Sequence, residues 1–289
     1  MDSRRYAPLG AIPRLIDETD AYAVLYKPPL MFSAPLSDDP AGTLLGWFSR
    51  RCPAVLDAGG PRSREGGLLH RLDFETEGLV LCAKNRETFE FLRSRQRAGE
   101  FIKEYGALSS TRAAVAAPGF PPIPPALSGE GFSPHPPHRI ESYFRPWGPG
   151  RKAVRPVIQG PPPEPGKRAR REIARDGDHP YRTEILSAGN PPCPGPQVTG
   201  NLHVFTLQLH RGFRHQIRCH LAWIGEPILN DTLYGGTCCP LYRPSPRPGE
   251  AEIPAKKETL PIALRAQGFR FPDPATGTEK EYRLPGFAG

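Results

Sequence analysis

Short apolar segments recur along the chain, and their lengths are typical of strands. Residues 20–27 are apolar and end at Pro28 and Pro29, which lack the amide hydrogens that a strand needs to continue its pairing. Residues 79–81 form an apolar run of the kind found in buried strands. The same criteria predict a strand at 101–109, a long-tipped hairpin at 181–186 and 202–209, and a closing strand at 260–271.

Three segments have the spacing and end signals of helices. Residues 43–51 begin at Thr43, whose side chain can cap the first turn. Residues 85–99 begin at Asn85, a second capping residue, and end at a glycine. Residues 212–224 carry an apolar stripe on one face and stop before another glycine. The stripe consists of Ile217, Leu221 and Ile224.

Proline and glycine are concentrated in two stretches, about 112–137 and 146–180, which we expect to be exposed inserts. The second contains a basic run, Lys167, Arg168, Arg170 and Arg171. A solvated loop is the simpler interpretation of this run, and a non-specific phosphate tether is the alternative. With 289 residues in total, one catalytic body interrupted by these inserts is expected.

The overall charge favours a polyanionic partner. The formal net charge is +8 at pH 7, and basic proteins gain affinity for phosphates by releasing counterions. The six cysteines are scattered, and the adjacent Cys238 and Cys239 are poorly placed for an ordinary disulfide, so reduced thiols are expected. No stretch of about 18 apolar residues occurs, so we expect a soluble, cytoplasmic protein that does not enter a membrane.

Asp73 is the most informative side chain of the sequence. It stands just before the apolar run at 79–81, where an unpaired charge would be costly to desolvate, so a partner cation is predicted. Arg218 is the candidate, because His215 and Arg218 are spaced to share one helix face. Spacing alone also allows Arg218 to be an ordinary surface arginine.

Two hypotheses of a metal site have less support in the sequence than the ion pair. Asp73, Glu75 and Glu77 crowd together, but a surface turn with exposed glutamates explains Glu75 and Glu77 more simply than a metal or hydrolase site. A zinc site near Cys219 would require paired cysteine spacing that is missing. No metal is expected.

Four blocks of sequence resemble the RluA-type pseudouridine synthases, a family of RNA pseudouridylate synthases. HRLDFETEGLVLCAK, at 70–84, is similar to the family's central signature. DAYAVLYKPPLMFSAP from Asp20, the strand containing Lys103 and Tyr105, and HQIRCHLAWIGEPILNDTLYGG from His215 resemble the remaining blocks in the family's order. There are three departures: Glu77, where serine is usual; Phe213-Arg214 before the last block; and Lys27-Pro28-Pro29-Leu30, which lacks the usual glycine.

The resemblance implies a pseudouridine-synthase fold: a mixed α/β (α+β) body over residues 18–272, with a mostly antiparallel central sheet flanked by helices and an active-site cleft across it. It implies a cofactor-free isomerase that converts uridine to pseudouridine in structured RNA, either ribosomal or transfer RNA. No separate amino-terminal RNA-binding domain and a monomeric protein are expected. The alternatives are an inactive RNA-binding protein on the same fold and, further off, a carboxylate-dependent hydrolase.

The resemblance also assigns roles to individual residues. It implies that Asp73 is the catalytic carboxylate, that Arg218 keeps it charged, and that Tyr105 stacks on the flipped uracil. Further residues are expected to bind substrate: Arg71, Leu72, Lys103, His215, Gln216 and Ile217.

Overall fold

The computed structural model describes residues 8–37, 39–59, 64–110, 118–124, 138–158, 179–190, 202–239, 242 and 260–287. The basic run at 167–171 and most of both expected inserts lie outside these residues. The strands are β1 (Arg14–Glu18), β2 (Tyr22–Lys27), β3 (Glu77–Ala83), β4 (Ile102–Ser110), β5 (His138–Trp147), β6 (Ala153–Val157), β7 (Tyr181–Gly189), β8 (Leu202–Leu209), β9 (Leu264–Pro272) and β10 (Glu279–Arg283). The helices are α1 (Leu44–Ser49), α2 (Val55–Ala58), α3 (Arg86–Arg97) and α4 (Gln216–Trp223).

The strands form one sheet in the order β1-β2-β3-β9-β4-β8-β7-β5-β6, with β10 added to β9. Every pairing is antiparallel except that of β3 with β9, which is parallel. The predicted mixed α/β class with a mostly antiparallel central sheet is therefore confirmed.

The centre of the sheet is covered on both faces, which explains why every residue of β3 is buried. Leu79 and Leu81 pack in one apolar cluster with Leu92 of α3. Val80 and Cys82, which point to the opposite face, pack in a second cluster with residues of α1 and α4. Leu72, Tyr105 and Ile217 belong to this second cluster, so the predicted site lies on the face that α1 and α4 cover.

Gly78 allows β9 to approach β3 closely. Its φ angle is +133°, and a Cβ atom there would lie 2.3 Å from the carbonyl oxygen of Ala266. Only glycine adopts this conformation without strain and also leaves room for the neighbouring backbone. The glycine after Glu77 therefore fixes where β9 enters the sheet.

Two of the predicted helix starts are confirmed. The Thr43 side chain accepts a hydrogen bond from the amide of Gly46 at 3.0 Å, and Asn85 accepts one from Thr88 at 2.9 Å. The predicted start of the third helix at residue 212 is wrong. His215 has a left-handed backbone with φ 58°, so α4 begins only at Gln216.

Several strands were not predicted. β1 and β10 are sheet elements at either end of the described chain, and β5 joins β6 and β7 by antiparallel pairing. β6 lies inside the stretch 146–180, so that stretch begins with a strand rather than with irregular chain. Pro156 sits in β6 opposite Phe144, which shows that the proline content concealed an edge strand.

Candidate active site

The predicted ion pair between Asp73 and Arg218 is present. Nη1 of Arg218 lies 3.0 Å from Oδ2 of Asp73. The Arg218 side chain is 3 % exposed, which rules out the surface-arginine interpretation, whereas the Asp73 side chain remains 25 % exposed. Asp73 precedes β3 and Arg218 lies on α4, so the pair joins a loop and a helix across the covered face of the sheet. The carboxylate is thus held by a buried cation and still reachable from solvent.

Asp231 is the strongest partner of Arg218, and it was missing from the predicted site. Its two carboxylate oxygens accept hydrogen bonds from Nε and Nη2 of Arg218 at 2.7 and 2.8 Å, and its side chain is fully buried. Burial acts to lower the pKa of Arg218, but hydrogen bonding and charge from Asp231 outweigh it and raise that pKa. Asp231 therefore fixes the guanidinium in one orientation. Asp231 belongs to the segment DTLYGG, within the block that resembles the family. The distance in sequence between Asp231 and Arg218 gave no indication that the two side chains meet.

Tyr105 is near enough to Asp73 to be affected by its charge. It is buried on β4, and burial together with the nearby charge of Asp73 raises the pKa of its phenol. The phenol is consequently neutral at physiological pH. The structure brings Asp73, Tyr105 and Arg218 together from three separate elements.

His215 and Glu75 complete the charged cluster. Nε2 of His215 lies 3.7 Å from Oδ2 of Asp73, and its Nδ1 is 3.2 Å from the hydroxyl of Tyr234. Burial lowers the pKa of His215 to about 4, which makes the ring neutral at pH 7. Glu75 is partly buried, and its Oε2 lies 3.6 Å from Nη1 of Arg218. The expectation that Glu75 is simply exposed is therefore wrong.

Glu77 is also not exposed. Its side chain is fully buried against Arg265 at 2.8 Å, and the hydroxyls of Tyr26 and Tyr242 donate to its two oxygens. The glutamate that replaces the family's usual serine thus belongs to an ion pair inside the sheet, away from Asp73. The local sequence could not reveal this because Arg265 lies 188 residues further along.

Lys27 contacts the loop that carries Asp73. The sequence alone assigned no role to this lysine. Its Nζ donates to the carbonyl oxygens of Pro28 at 2.9 Å, Met31 at 2.8 Å and Phe74 at 3.4 Å. Burial lowers the pKa of Lys27 to about 7, although the charges of Asp73 and Glu75 oppose that shift. The lysine connects the turn after β2 to the residue that follows Asp73.

The remaining predicted binding residues occupy different environments. Arg71 is exposed and pairs with Glu65 at 2.9 Å. Leu72 and Ile217 are buried in the apolar cluster beside Tyr105. Gln216 directs its amide nitrogen to the carbonyl of Arg182 at 2.8 Å, so this group holds α4 to β7.

Lys103 is buried on the same face of β4 as Tyr105. Burial lowers its pKa to about 8.

The described residues contain no group of three histidine, cysteine or acidic side chains that could hold a metal ion. None of the helices in this part of the chain is long and apolar enough to cross a membrane. Cys52, Cys82, Cys219, Cys238 and Cys239 are free thiols.

Known proteins resemble this chain in sequence and in fold. The family model described as RNA pseudouridylate synthase matches residues 21–223. Ribosomal large subunit pseudouridine synthase D of Haemophilus ducreyi is 25 % identical over 286 residues, which cover 97 % of this chain and 69 % of that protein. The protein of the same name from Salmonella typhimurium is 26 % identical over 276 residues, covering 94 % of this chain and 66 % of its own length. The chain thus spans about two thirds of the length of these relatives.

Two solved human structures share the fold. RNA Pseudouridylate Synthase Domain Containing 1 superposes with a TM-score of 0.56 at 16 % identity, over 95 % of this chain and 83 % of that one. RNA Pseudouridylate Synthase Domain Containing 4 gives a TM-score of 0.52 at 15 % identity, over 93 % and 87 % of the two chains.

Proposed function

Because the chain belongs to the RNA pseudouridylate synthase family and is of the RluA type, we propose that it converts uridine to pseudouridine in large-subunit ribosomal RNA, with Asp73 as the reacting carboxylate. The enzyme is an isomerase. The bond from N1 of uracil to C1′ of ribose breaks, the base rotates, and a bond from C5 to C1′ forms. The proton on C5 leaves to solvent, and N1 takes up a proton from solvent. No atom is gained or lost overall.

One observation carries the assignment of Asp73. Its carboxylate is tied to a buried arginine at 3.0 Å yet keeps 25 % of its side chain exposed, in a cleft where Arg218 and Tyr105 are almost completely buried. A carboxylate held in one orientation and still open to solvent can act on a nucleotide that has left its helix without further rearrangement. Arg218 holds the charge in place, and Tyr105 offers an aromatic face to the flipped uracil.

The contacts support the proposed binding residues unequally. Leu72 and Ile217 are placed to form apolar walls beside Tyr105. His215 is neutral and within 3.7 Å of Asp73, where it can hydrogen-bond to a base or ribose. Arg71 is exposed, and within the described residues it is held by a surface ion pair, which is weak enough for the side chain to turn to RNA. Gln216 has the weakest support, because its amide already binds the protein backbone.

The choice of ribosomal RNA rests on the names of the relatives, whereas the net charge of +8 favours a polyanion of either kind. Transfer RNA is the competing substrate. A cytoplasmic location suits the five free thiols of the described residues, since disulfides are rare in reducing compartments. The monomeric state stays a prediction.

Tritium release tests the proposal. Transcripts of large-subunit ribosomal RNA and of transfer RNAs, labelled with tritium at C5 of uridine, are incubated with the wild type, Asp73→Asn and Asp57→Asn. Asp57 is an exposed aspartate on α2, so its replacement is the matched control. We expect release from ribosomal RNA, unchanged by Asp57→Asn and reduced by at least about three orders of magnitude by Asp73→Asn.

The outcomes separate the alternatives. Release from transfer RNA alone would overturn the substrate. Full release by Asp73→Asn would overturn its role, and no release from any RNA by the wild type would favour an inactive RNA-binding protein. A repeat in excess chelator tests for a required metal, and we expect the same rate there.

A further inference from the structure

Lys103 is a buried cation without an acceptor. The residue is 5 % exposed, and within the described part of the chain its Nζ forms neither a hydrogen bond nor an ion pair. Its nearest aromatic contact, the ring of Phe101, lies 6.0 Å from Nζ, at the outer limit of a cation–π interaction. Buried ammonium groups are normally paired because their desolvation is costly. Such a group is therefore placed for an anion that comes from outside the chain.

The described residues that face Lys103 supply no negative charge. Nε2 of His70 lies 3.2 Å from the carbonyl oxygen of Leu79, so Nε2 carries the proton and Nδ1 is a lone-pair acceptor. Burial, assisted by the charge of Lys103, lowers the pKa of His70 to about 3, so the ring is neutral. From α3 the charge of Arg93 acts on Lys103, and this charge is positive.

Gly212 leaves the approach to Lys103 open. A Cβ atom on Gly212 would lie 3.1 Å from Nζ, closer than nearly all real contacts of that kind. Gly212 is itself exposed and precedes α4, on the segment that leads to His215. Any larger residue there would crowd the ammonium. The absence of a side chain at 212 therefore keeps a path to Nζ.

We propose that Lys103 binds a backbone phosphate of the RNA next to the uridine that stacks on Tyr105. Lys103 and Tyr105 lie on one face of β4, two residues apart, which separates their Cα atoms by about 7 Å. That spacing is comparable with the span from a base to a phosphate of its own nucleotide. The ammonium acts as a point charge for a phosphate oxygen, which is the only anionic group that RNA offers.

The inference rests on the proposed function for the identity of the ligand, but its test does not depend on turnover. Filter binding measures the affinity for an unmodified transcript of large-subunit ribosomal RNA between 50 and 200 mM salt. The proteins compared are the wild type, Lys103→Met, Lys103→Arg, Gly212→Ala and Lys280→Met. Lys280 is an exposed lysine of β10 and is the matched control.

Loss of one phosphate contact should weaken binding by Lys103→Met roughly 10-fold or more and lower the slope of log affinity against log salt by about 1. Gly212→Ala should weaken binding in the same direction, and Lys280→Met should match the wild type. Because the pKa of Lys103 is about 8, wild-type affinity should fall between pH 7 and 9. Lys103→Arg, which keeps its charge, should show no such fall.

Binding by Lys103→Met with wild-type affinity and wild-type salt slope would overturn the inference. If Lys103→Met unfolds, the pH dependence of Lys103→Arg and the affinity of Gly212→Ala decide it instead. Tritium release measured on the same proteins keeps the two hypotheses apart. Release abolished by Asp73→Asn, together with unchanged RNA binding by Lys103→Met, would refute the phosphate contact and leave the proposed reaction intact.

Discussion

Replacing Arg218 by methionine tests the charged cluster most directly. The substitution removes the guanidinium and leaves Asp231 fully buried, without its two hydrogen bonds of 2.7 and 2.8 Å. Each charge-assisted hydrogen bond contributes roughly 1.5–3 kcal/mol, and breaking one side of a buried pair costs about 3–5 kcal/mol. Asp73 adds little, because its exposed part can regain water. We expect Arg218→Met to lose about 3–5 kcal/mol of unfolding free energy.

Urea unfolding measures this loss, and a double variant identifies its cause. In Arg218→Met/Asp231→Asn the stranded charge is gone, so stability should recover by roughly 2 kcal/mol relative to Arg218→Met. Arg86→Met is the control, because its pair with Glu90 is exposed and should change stability by less than about 1 kcal/mol.

Catalysis should not recover with stability. Both variants lack the cation that holds Asp73, so tritium release should stay abolished in the stabilised double variant as well. A double variant no more stable than Arg218→Met would show that the charge of Asp231 is not what destabilises the single variant. Wild-type release by Arg218→Met would refute the role of the pair in the reaction.

Two further substitutions probe buried charges. Lys27→Met should flatten the pH dependence of stability between pH 7 and 9: burial lowers the pKa of Lys27 from 10.5 to about 7, so the unfolded chain binds the extra proton in this window and wild-type stability rises with pH. Denaturant titrations at pH 7, 8 and 9 measure it, and parallel curves for the two proteins would contradict it. Glu77→Gln should lower the Tm by roughly 10 °C, because Arg265 stays buried without its carboxylate, at about 3–5 kcal/mol. Calorimetry against the exposed control Glu90→Gln measures this, and equal shifts would refute it.

Local chemistry made much of the fold predictable. Thr43 and Asn85 cap α1 and α3 because a short oxygen-bearing side chain meets a free amide three residues later, and that relation is visible in sequence. The apolar run before Cys82 became β3 because its length and composition suit a strand covered on both faces. The need for a cation near Asp73 was visible in the sequence, but spacing alone left Arg218 open as a surface arginine, and the resemblance to the family supplied the pairing.

Most of the features that the sequence did not predict depend on contacts between residues far apart in the chain. Glu75 and Glu77 look alike in sequence, yet Glu77 is fully buried because Arg265 reaches it from β9. Asp231 lies in a loop 13 residues after Arg218, outside the spacing at which helix neighbours meet. The left-handed backbone of His215, which shortens α4, has no signal in residue type. The two missed contacts, of Glu77 and of Asp231, join residues that come together only in the folded chain.

The position of β9 has a consequence for how the enzyme comes into being. β3 follows the loop with Asp73, β4 carries Tyr105, and β9 lies between these two strands in the sheet. A nascent chain on the ribosome therefore holds Asp73, Tyr105 and Arg218 well before Leu264–Pro272 is synthesised and joins them in one sheet. Contacts of such long sequence separation also form slowly. A truncated chain that ends before β9 would contain all three residues but lack the strand that joins β3 to β4.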